Sequence, residues 1–310
     1  MDLEELLRDA DDLVQPSTGG SAVTKVRGTG QASFQPTVSS TGEVVGVRNT
    51  ILQSSHPVRL SVPRYASTNP MSQWLYVSVH GGGLAEGQDM VVDVTAGREC
   101  TVVVTTPSFT RVLQGDRLGC GQTLRGTVEK GALLAYLPDP VVCYGGATFQ
   151  KEQEFYLDDD ASLVAVDWLT AGRVALGERW ELKGYRTTTT IYIGGRRVCD
   201  NATALGNGSP HSLWHRTQTV MGNHDVIGTF VLIGPATVGV YQRILQGDLN
   251  GRQEGIDLKA TPINKDKNSN EVVGVNVKFF AETTQQVYDL LRGILQDLIP
   301  VFGGDPFRNK

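Results

Sequence analysis

Three segments in the middle of this chain follow one plan, and they constrain the fold more than any other feature. In each, an amphipathic strand enters a tight turn and a more continuously apolar strand leaves it: DMVVDVTAGRECTVVVTTP, QTLRGTVEKGALLAYLPDP and KEQEFYLDDDASLVAVDWL. The turn residues Gly97, Gly131 and Ala161 lie 34 and 30 residues apart. A period of about 30 residues is typical of units that stack on one another. The repeat predicts a β-helix or solenoid, and an ordinary β-sandwich with regularly spaced hairpins is the alternative.

The rest of the middle region also consists of Val- and Thr-rich runs separated by Gly, Pro and Asp, which indicates short strands and turns. One hairpin is explicit, because Gly194 and Gly195 separate two strand-like runs. Helical periodicity appears only near the two ends. The C-terminal helix is predicted to begin with a capping box, Thr283 and Gln286, and to end at Pro300. We therefore predict an N-terminal acidic helix and linker (1–24), a β-solenoid-like domain (25–224) and a C-terminal α+β portion (225–310).

Charge and hydropathy exclude several classes of protein. The net charge is −5, and the Lys and Arg residues are scattered, which argues against nucleic-acid binding. No apolar run approaches the roughly 18–20 residues that a membrane helix needs, and the N-terminus is acidic where a targeting peptide is basic. The four cysteines have no CxxC spacing, so we expect buried thiols in a reducing compartment. These features predict a cytoplasmic protein with no membrane partner.

The segment VSVHGGGLAEGQD, residues 77–89, contains the His-Gly-Gly-Gly sequence with which some lipases build an oxyanion hole. Such a hydrolase also needs a nucleophile in a G-x-S-x-G turn, and no serine here has that setting. Phosphate-binding loops, H-E-x-x-H and G-x-G-x-x-G are absent as well, and the five histidines form no ligand cluster. The sequence therefore indicates no enzyme of these classes.

One carboxylate stands out because it interrupts an apolar strand. Asp167 lies within SLVAVDWL, and Glu178 follows in LGERW. A buried acid is costly unless it is paired, and Arg173 is the obvious candidate partner for either carboxylate. Two interpretations of Asp167 stay open: a buried ion pair, or a polar site inside a β scaffold.

Four motifs together resemble the urease accessory protein D family, UreD or UreH. They are GGGLAEGQD at 81–89, TTPSFTRV at 105–112, LAYLPDPVVCYGGATFQ at 134–150 and DWLTAGRVALGERW at 167–180. The positions that carry the motifs are Gly82, Gly83, Gly87, Pro138, Asp139, Gly172, Arg173, Gly177 and Glu178. The resemblance extends over most of residues 28–300. It implies a right-handed stack of β-strands, in which the glycines of HGGGLAEG form a backbone turn.

The resemblance also implies a function and a set of partners. Members of this family act with a helical (UreF-type) accessory protein and a GTP-binding (UreG-type) nickel carrier on apo-urease, as a bridge and an internal route for nickel. They are not enzymes and hold no tight cofactor; nickel(II) passes through. Here the candidates for a nickel path are Asp167, Asp200, Asp89 and Thr110. Asp167 matches the family directly, whereas Asp200 stands where members often have Glu, and Thr110 with Arg111 replaces a Ser-Lys-type pair. The family's acidic position after the glycines falls on Gln88, one residue before Asp89.

Two other functions remain as alternatives. One is a β-solenoid enzyme acting on a polysaccharide through clustered acids such as Asp139, Asp167 and Glu178. The four tryptophans occupy no recurrent position in the repeat, which argues against a sugar-binding groove. The other is a structural interaction module without any nickel path.

Overall fold

A computed structural model describes residues 24–63, 67–206, 217–248, 254–266, 269–308 and 310. The predicted N-terminal helix lies outside these ranges. The described chain is mostly β and forms two sheets that face each other, with short helices towards the C-terminus. The helices are α1 (Thr217–Met221), α2 (Val238–Leu245), α3 (Thr284–Leu295) and α4 (Ile299–Phe302).

Among the described residues, the first sheet has seven strands in the order β14-β13-β11-β8-β5-β1-β2. Their bounds are β1 (Val26–Val38), β2 (Val44–Ser54), β5 (Gln88–Ala96), β8 (Cys120–Val128), β11 (Thr148–Leu157), β13 (Gly184–Ile193) and β14 (Arg196–Gly206). The five central strands, β1, β5, β8, β11 and β13, pair with one another in parallel. At the two edges, β2 pairs antiparallel with β1, and β14 pairs antiparallel with β13.

The second sheet has ten strands in the part of the chain that the structure describes, eight of them in the order β16-β17-β15-β12-β9-β6-β4-β3. Its strands are β3 (Val58–Ser61), β4 (Ser72–Val79), β6 (Thr101–Thr105), β7 (Thr110–Val112), β9 (Leu133–Tyr136), β10 (Val141–Cys143), β12 (Ser162–Thr170), β15 (Val226–Ile233), β16 (Ile256–Asn264) and β17 (Val272–Ala281). In this sheet β4, β6, β9 and β12 pair with one another in parallel. Beyond β12, the strands β15, β17 and β16 extend the sheet through antiparallel pairs.

The middle of the chain alternates between the sheets: β5, β8 and β11 lie in the first, and β6, β9 and β12 follow each of them in the second. Each pair forms one coil, and each coil pairs in parallel with the coil before it. The predicted solenoid-like stack is therefore confirmed, and the alternative of a sandwich built from hairpins is wrong for this region.

Strand β12 shows why the exit strands of the repeat are apolar on both faces. All nine of its residues are buried. Leu163, Ala165 and Leu169 join the core between the two sheets, whereas Val166 and Trp168 join a second core beneath the C-terminal helices. A strand covered on both sides loses the alternation of polar and apolar residues.

Several predicted turns and caps are confirmed. Gly194 and Gly195 have φ values of 54° and 77°, as a two-residue primed turn requires. In the HGGG segment Gly82 also has a positive φ, 82°, so this segment is a backbone turn between strands.

The capping box of Thr283 and Gln286 at the start of α3 is confirmed. The predicted end of that helix is wrong. Helix α3 ends at Leu295, and Pro300 lies in the first turn of α4, where its missing N–H and fixed φ are tolerated.

Candidate functional site

A row of polar side chains crosses the interior between the sheets. Gln122, Lys151 and Thr187 occupy paired positions on β8, β11 and β13, and all three are buried. Side chains at paired positions of parallel strands point to the same face, here towards the second sheet. Asp167 reaches the row from β12 in that sheet. We call these four residues the interior polar row.

Asp167 and Lys151 form the centre of the row. Lys151 Nζ lies 2.8 Å from Asp167 Oδ1, and the two side chains are only 2% and 7% exposed. Thr187 Oγ1 donates to the other carboxylate oxygen over 2.6 Å. Burial by itself lowers the pKa of Lys151, but Asp167 and then Tyr136 outweigh it and hold that pKa above its ordinary value. Lys151 therefore keeps its positive charge at neutral pH.

Of the two candidate pairings of Arg173, the one with Glu178 is confirmed and the one with Asp167 is wrong. Arg173 pairs with Glu178 instead, with Nε 3.0 Å from Oε2, and its guanidinium stacks over the Tyr144 ring. Glu178 also accepts the N–H of Gly145. Burial raises the pKa of Glu178, but these hydrogen bonds outweigh it and hold the pKa below its ordinary value. The motif GRVALGE thus builds a braced turn, in which Gly172 and Gly177 take positive φ.

Two tyrosines flank the central pair. The Lys151 ammonium lies 5.4 Å from the centroid of the Tyr136 ring. Burial raises the pKa of Tyr136, against hydrogen bonds from Lys151 and Gln122 that lower it. Burial and the nearby Asp167 carboxylate raise the pKa of Tyr185 well above its usual range. Both phenols therefore stay protonated and act as neutral hydrogen-bonding groups.

The polar interior continues beyond Thr187. A small cavity of about 10 Å³ is bordered by Asp167 and Thr187 and by Thr189, Asn201 and Thr229. Gln153 donates to Thr189 Oγ1 over 3.2 Å, and Asn201 exchanges two hydrogen bonds with Asn276 on β17. Gln153 Oε1 is buried and, among the residues that the structure describes, has no hydrogen-bond partner.

On the other side, the row borders a cavity of about 140 Å³ beneath the HGGG turn. Tyr136 and Gln122 line its inner end, and Thr110 lines it with Gly82 and Gly83. Asp167 therefore borders the smaller cavity, and Gln122 and Tyr136, which adjoin Lys151, border the larger one. Thr110 and Asp167, two of the four predicted path residues, both face this interior system.

The other two predicted path residues lie elsewhere. Asp89 lies on the face of β5 opposite Met90 and borders a cavity of about 450 Å³ with Lys25 and Arg27, and Gln122 of the interior polar row borders the same cavity. Asp200 is exposed on β14 and pairs with Arg197 at 2.6 Å. The structure thus brings Asp167 and Thr110 to the interior and leaves Asp89 and Asp200 on the outer face of the first sheet.

The LPDP motif fastens the C-terminal helices to the stack. Trp168 Nε1 donates to the carbonyl of Pro138 over 2.8 Å, and the Tyr288 hydroxyl of α3 donates to Asp139 over 2.9 Å. Lys310 also pairs with Asp139. These contacts are structural and lie on the side of the second sheet that faces away from the interior polar row.

Sequence reasoning did not identify Lys151 or Gln153, although a signal was present. In KEQEFYL the residues Lys151, Gln153, Phe155 and Leu157 alternate with outward-facing ones, and the two apolar members mark the inner face. Alternation alone therefore places a lysine and a glutamine inside the stack.

Three further features of the described residues concern metal-binding clusters, disulfides and membrane-spanning helices. No group of three or more His, Cys, Asp or Glu side chains within them is arranged to hold a metal. The four cysteines are buried and unpaired by disulfides, as predicted. No helix in the described ranges has the length and apolar content needed to cross a membrane. Within the described residues, the interior polar row contributes one carboxylate, Asp167, together with neutral oxygen donors.

The chain is similar in sequence to proteins of one known family over most of its length. The sequence profile of the family described as UreD urease accessory protein matches residues 40–310. The chain is 31% identical over 279 residues to urease accessory protein UreD of Sorangium cellulosum, which is 88% of this chain and 84% of that protein. It is 29% identical over 289 residues to urease accessory protein D of Arabidopsis thaliana, covering 86% and 97% of the two chains.

Proposed function

The chain belongs to the UreD family of urease accessory proteins, and from this membership we propose that it matures urease as a non-catalytic scaffold and nickel conduit. In this proposal it acts in the cytoplasm and bridges apo-urease to a helical accessory protein and a GTP-binding nickel carrier. Nickel passes through the stack as cargo. The observation that supports conduction is the interior polar row, which lies between cavities of about 140 and 10 Å³.

The chemistry of the row suits transit better than storage. Nickel(II) accepts oxygen and nitrogen donors, and the interior offers hydroxyl, amide and carboxylate oxygens. Conduction requires sites that are favourable enough to enter and weak enough to leave. A single carboxylate, Asp167, with neutral neighbours meets that requirement, whereas a cage of several histidines or thiolates would retain the ion.

The proposed route begins at the cavity that Thr110 borders and passes Tyr136 and Gln122 to Asp167. From there it continues past Thr189 towards Asn201. Asp200, which the resemblance also indicated, is exposed and lies outside this interior route. Asp89, the fourth residue so indicated, shares a cavity of about 450 Å³ with Gln122 and lies beside the route.

The carbohydrate-active alternative is less well supported. Asp139, Asp167 and Glu178 each pair with a different cation, namely Lys310, Lys151 and Arg173. A glycosidase needs two carboxyl groups that face one bond, about 5–9.5 Å apart, one of them as a proton donor. Carboxylates held in three separate ion pairs do not provide that arrangement.

A urease activation assay tests the proposal. Apo-urease is co-expressed with both accessory partners in nickel-containing medium, with and without this chain, and urease activity and bound nickel are measured. We expect activation only in the presence of the chain. Normal activation and nickel content in its absence would refute the proposed function.

A second arm separates the conduit from a purely structural module. The double substitution Lys151→Met/Asp167→Leu replaces the central ion pair with apolar side chains of similar size. We expect it to lower activation and the nickel content of urease while the partners still co-purify. Asp93→Asn, at an acid that is 49% exposed on the outer face, is the matched control and keeps full activation. Full activation by the double variant would refute the nickel conduit and favour a structural module without a nickel path.

A further inference from the structure

We propose that Asp167 is an exchangeable cation site whose resting occupant is the Lys151 ammonium, and that a divalent metal ion replaces it when Lys151 moves onto Tyr136. This inference rests on the proposed function, because it assigns the step that admits the ion. It gives Lys151 a role that neither the motifs nor the family resemblance indicated.

The first observation is the environment of the carboxylate. Asp167 faces a space of about 10 Å³, which is about the size of one water molecule, and hydroxyl and amide groups of Thr187, Thr189, Asn201 and Thr229 border it. These donors are the kind that complete the shell of a weakly held divalent ion. One cation is required there, since an unpaired buried carboxylate is costly, and Lys151 supplies it.

The second observation is independent of that ion pair. Gln153 is 1% exposed, and its Oε1 is the buried side-chain oxygen without a hydrogen-bond partner in the described part of the chain. Its amide nitrogen already binds Thr189 at the border of the same space. Buried polar atoms are nearly always satisfied, so an unpartnered acceptor next to Thr189 indicates that an occupant the size of a water molecule reaches this part of the interior.

The third observation is that Lys151 already contacts a second group, Tyr136, that can hold its charge. Its ammonium already lies 5.4 Å from the centroid of Tyr136, and Tyr136 and Gln122 border the cavity of about 140 Å³. The lysine stem has four flexible carbons, and an ammonium is attracted to the face of an aromatic ring. A small rotation therefore moves the charge from the carboxylate to the ring without taking it out of the protein.

Exchange between the ammonium and the metal ion explains how Asp167 can bind the metal ion only weakly. While the metal ion is at Asp167, the displaced ammonium remains nearby and repels it. The ion is then released as Lys151 returns. A permanently vacant Asp167 would bind the metal more tightly, so removal of Lys151 should convert a transit point into a measurable binding site.

The test uses purified full-length protein and measures the thermal unfolding midpoint with and without NiCl₂. Lys151→Met is expected to gain about 5 °C in saturating Ni²⁺, since a ligand that binds only the folded state raises the midpoint. The wild type and Lys151→Met/Asp167→Leu, the matched control that lacks the carboxylate, are expected to shift by less than about 1 °C, within the scatter of such linkage effects. A folded Lys151→Met that shows no shift with Ni²⁺ would overturn the proposal.

If Lys151→Met is recovered folded only when Ni²⁺ is present during expression, the site is supported directly. If Lys151→Met folds neither with nor without Ni²⁺, the variant Lys151→Arg tests the exchange instead. Its forked guanidinium holds a carboxylate through two hydrogen bonds, so exchange becomes harder and urease activation should fall several-fold. Unchanged activation by Lys151→Arg would then overturn the inference.

The outcomes also distinguish this inference from the proposed function. A nickel-dependent shift in Lys151→Met combined with full urease activation by the double variant would support the cation site but refute the interior route. Loss of activation by the double variant without any shift in Lys151→Met would support the route and refute the exchange.

Discussion

Replacing Asp167 alone by leucine is expected to destabilise the protein far more than replacing Asp167 and Lys151 together. The single change leaves the Lys151 ammonium, which is 2% exposed, without its counter-ion. Breaking a buried pair in this way costs about 3–5 kcal/mol, whereas replacing both members by apolar groups is close to neutral or stabilising. Against a total stability of about 5–15 kcal/mol, the single change is large.

Urea unfolding at neutral pH, followed by circular dichroism, measures both variants. We expect the Asp167→Leu midpoint to fall and the double variant to return close to the wild type, with similar slopes. Asp93→Asn is the control, since substitution at an exposed acid changes the free energy of unfolding by only about 0.5 kcal/mol. A single variant within about 1 kcal/mol of the wild type, or a double variant as unstable as the single, would refute the assigned ion pair.

Three further predictions concern pH, the C-terminal fastening and the cap of α3. Burial raises the pKa of Cys100 and Cys120 to about 11, so the folded state keeps these protons while the unfolded state loses them. Stability should be full below about pH 8.5 and fall by about 1.4 kcal/mol per pH unit for each thiol up to about pH 11, which urea titrations test; a flat profile would contradict it. Tyr288→Phe removes a hydrogen bond to the buried Asp139 and should cost about 1.5–3 kcal/mol in urea unfolding, and an unchanged midpoint would count against that contact. Thr283→Ala removes the capping box and should cost about 1 kcal/mol; a loss below about 0.3 would show that the cap contributes little.

The scaffold could be predicted because its determinants are local. The spacing of Gly97, Gly131 and Ala161 gave the repeat, and the apolar exit strands indicated burial on both faces. Turn glycines and the α3 capping box act over two to four residues, so they could be identified from neighbours in the chain. The end of α3 could not, because proline is accepted in the first turn of a following helix as well as after the last turn of the preceding one.

The candidate site could not be predicted fully from the sequence, because it depends on contacts between distant parts of the chain. Asp167 was conspicuous as an acid in an apolar strand, but Lys151 and Arg173 were both close enough in sequence to pair with it. Lys151 does so because β11 and β12 lie in opposite sheets and present these two side chains to the same interior, whereas Arg173 follows β12 in an exposed turn.

The sequence by itself determined the stack of coils, the turns between them and the presence of one acid within an apolar strand. Only the tertiary structure decided that this acid meets Lys151 and that Asp89 and Asp200 face outward. The physical reason is that strand alternation assigns side chains to two faces, while the assembly of the two sheets decides which face is enclosed and what lies across from it.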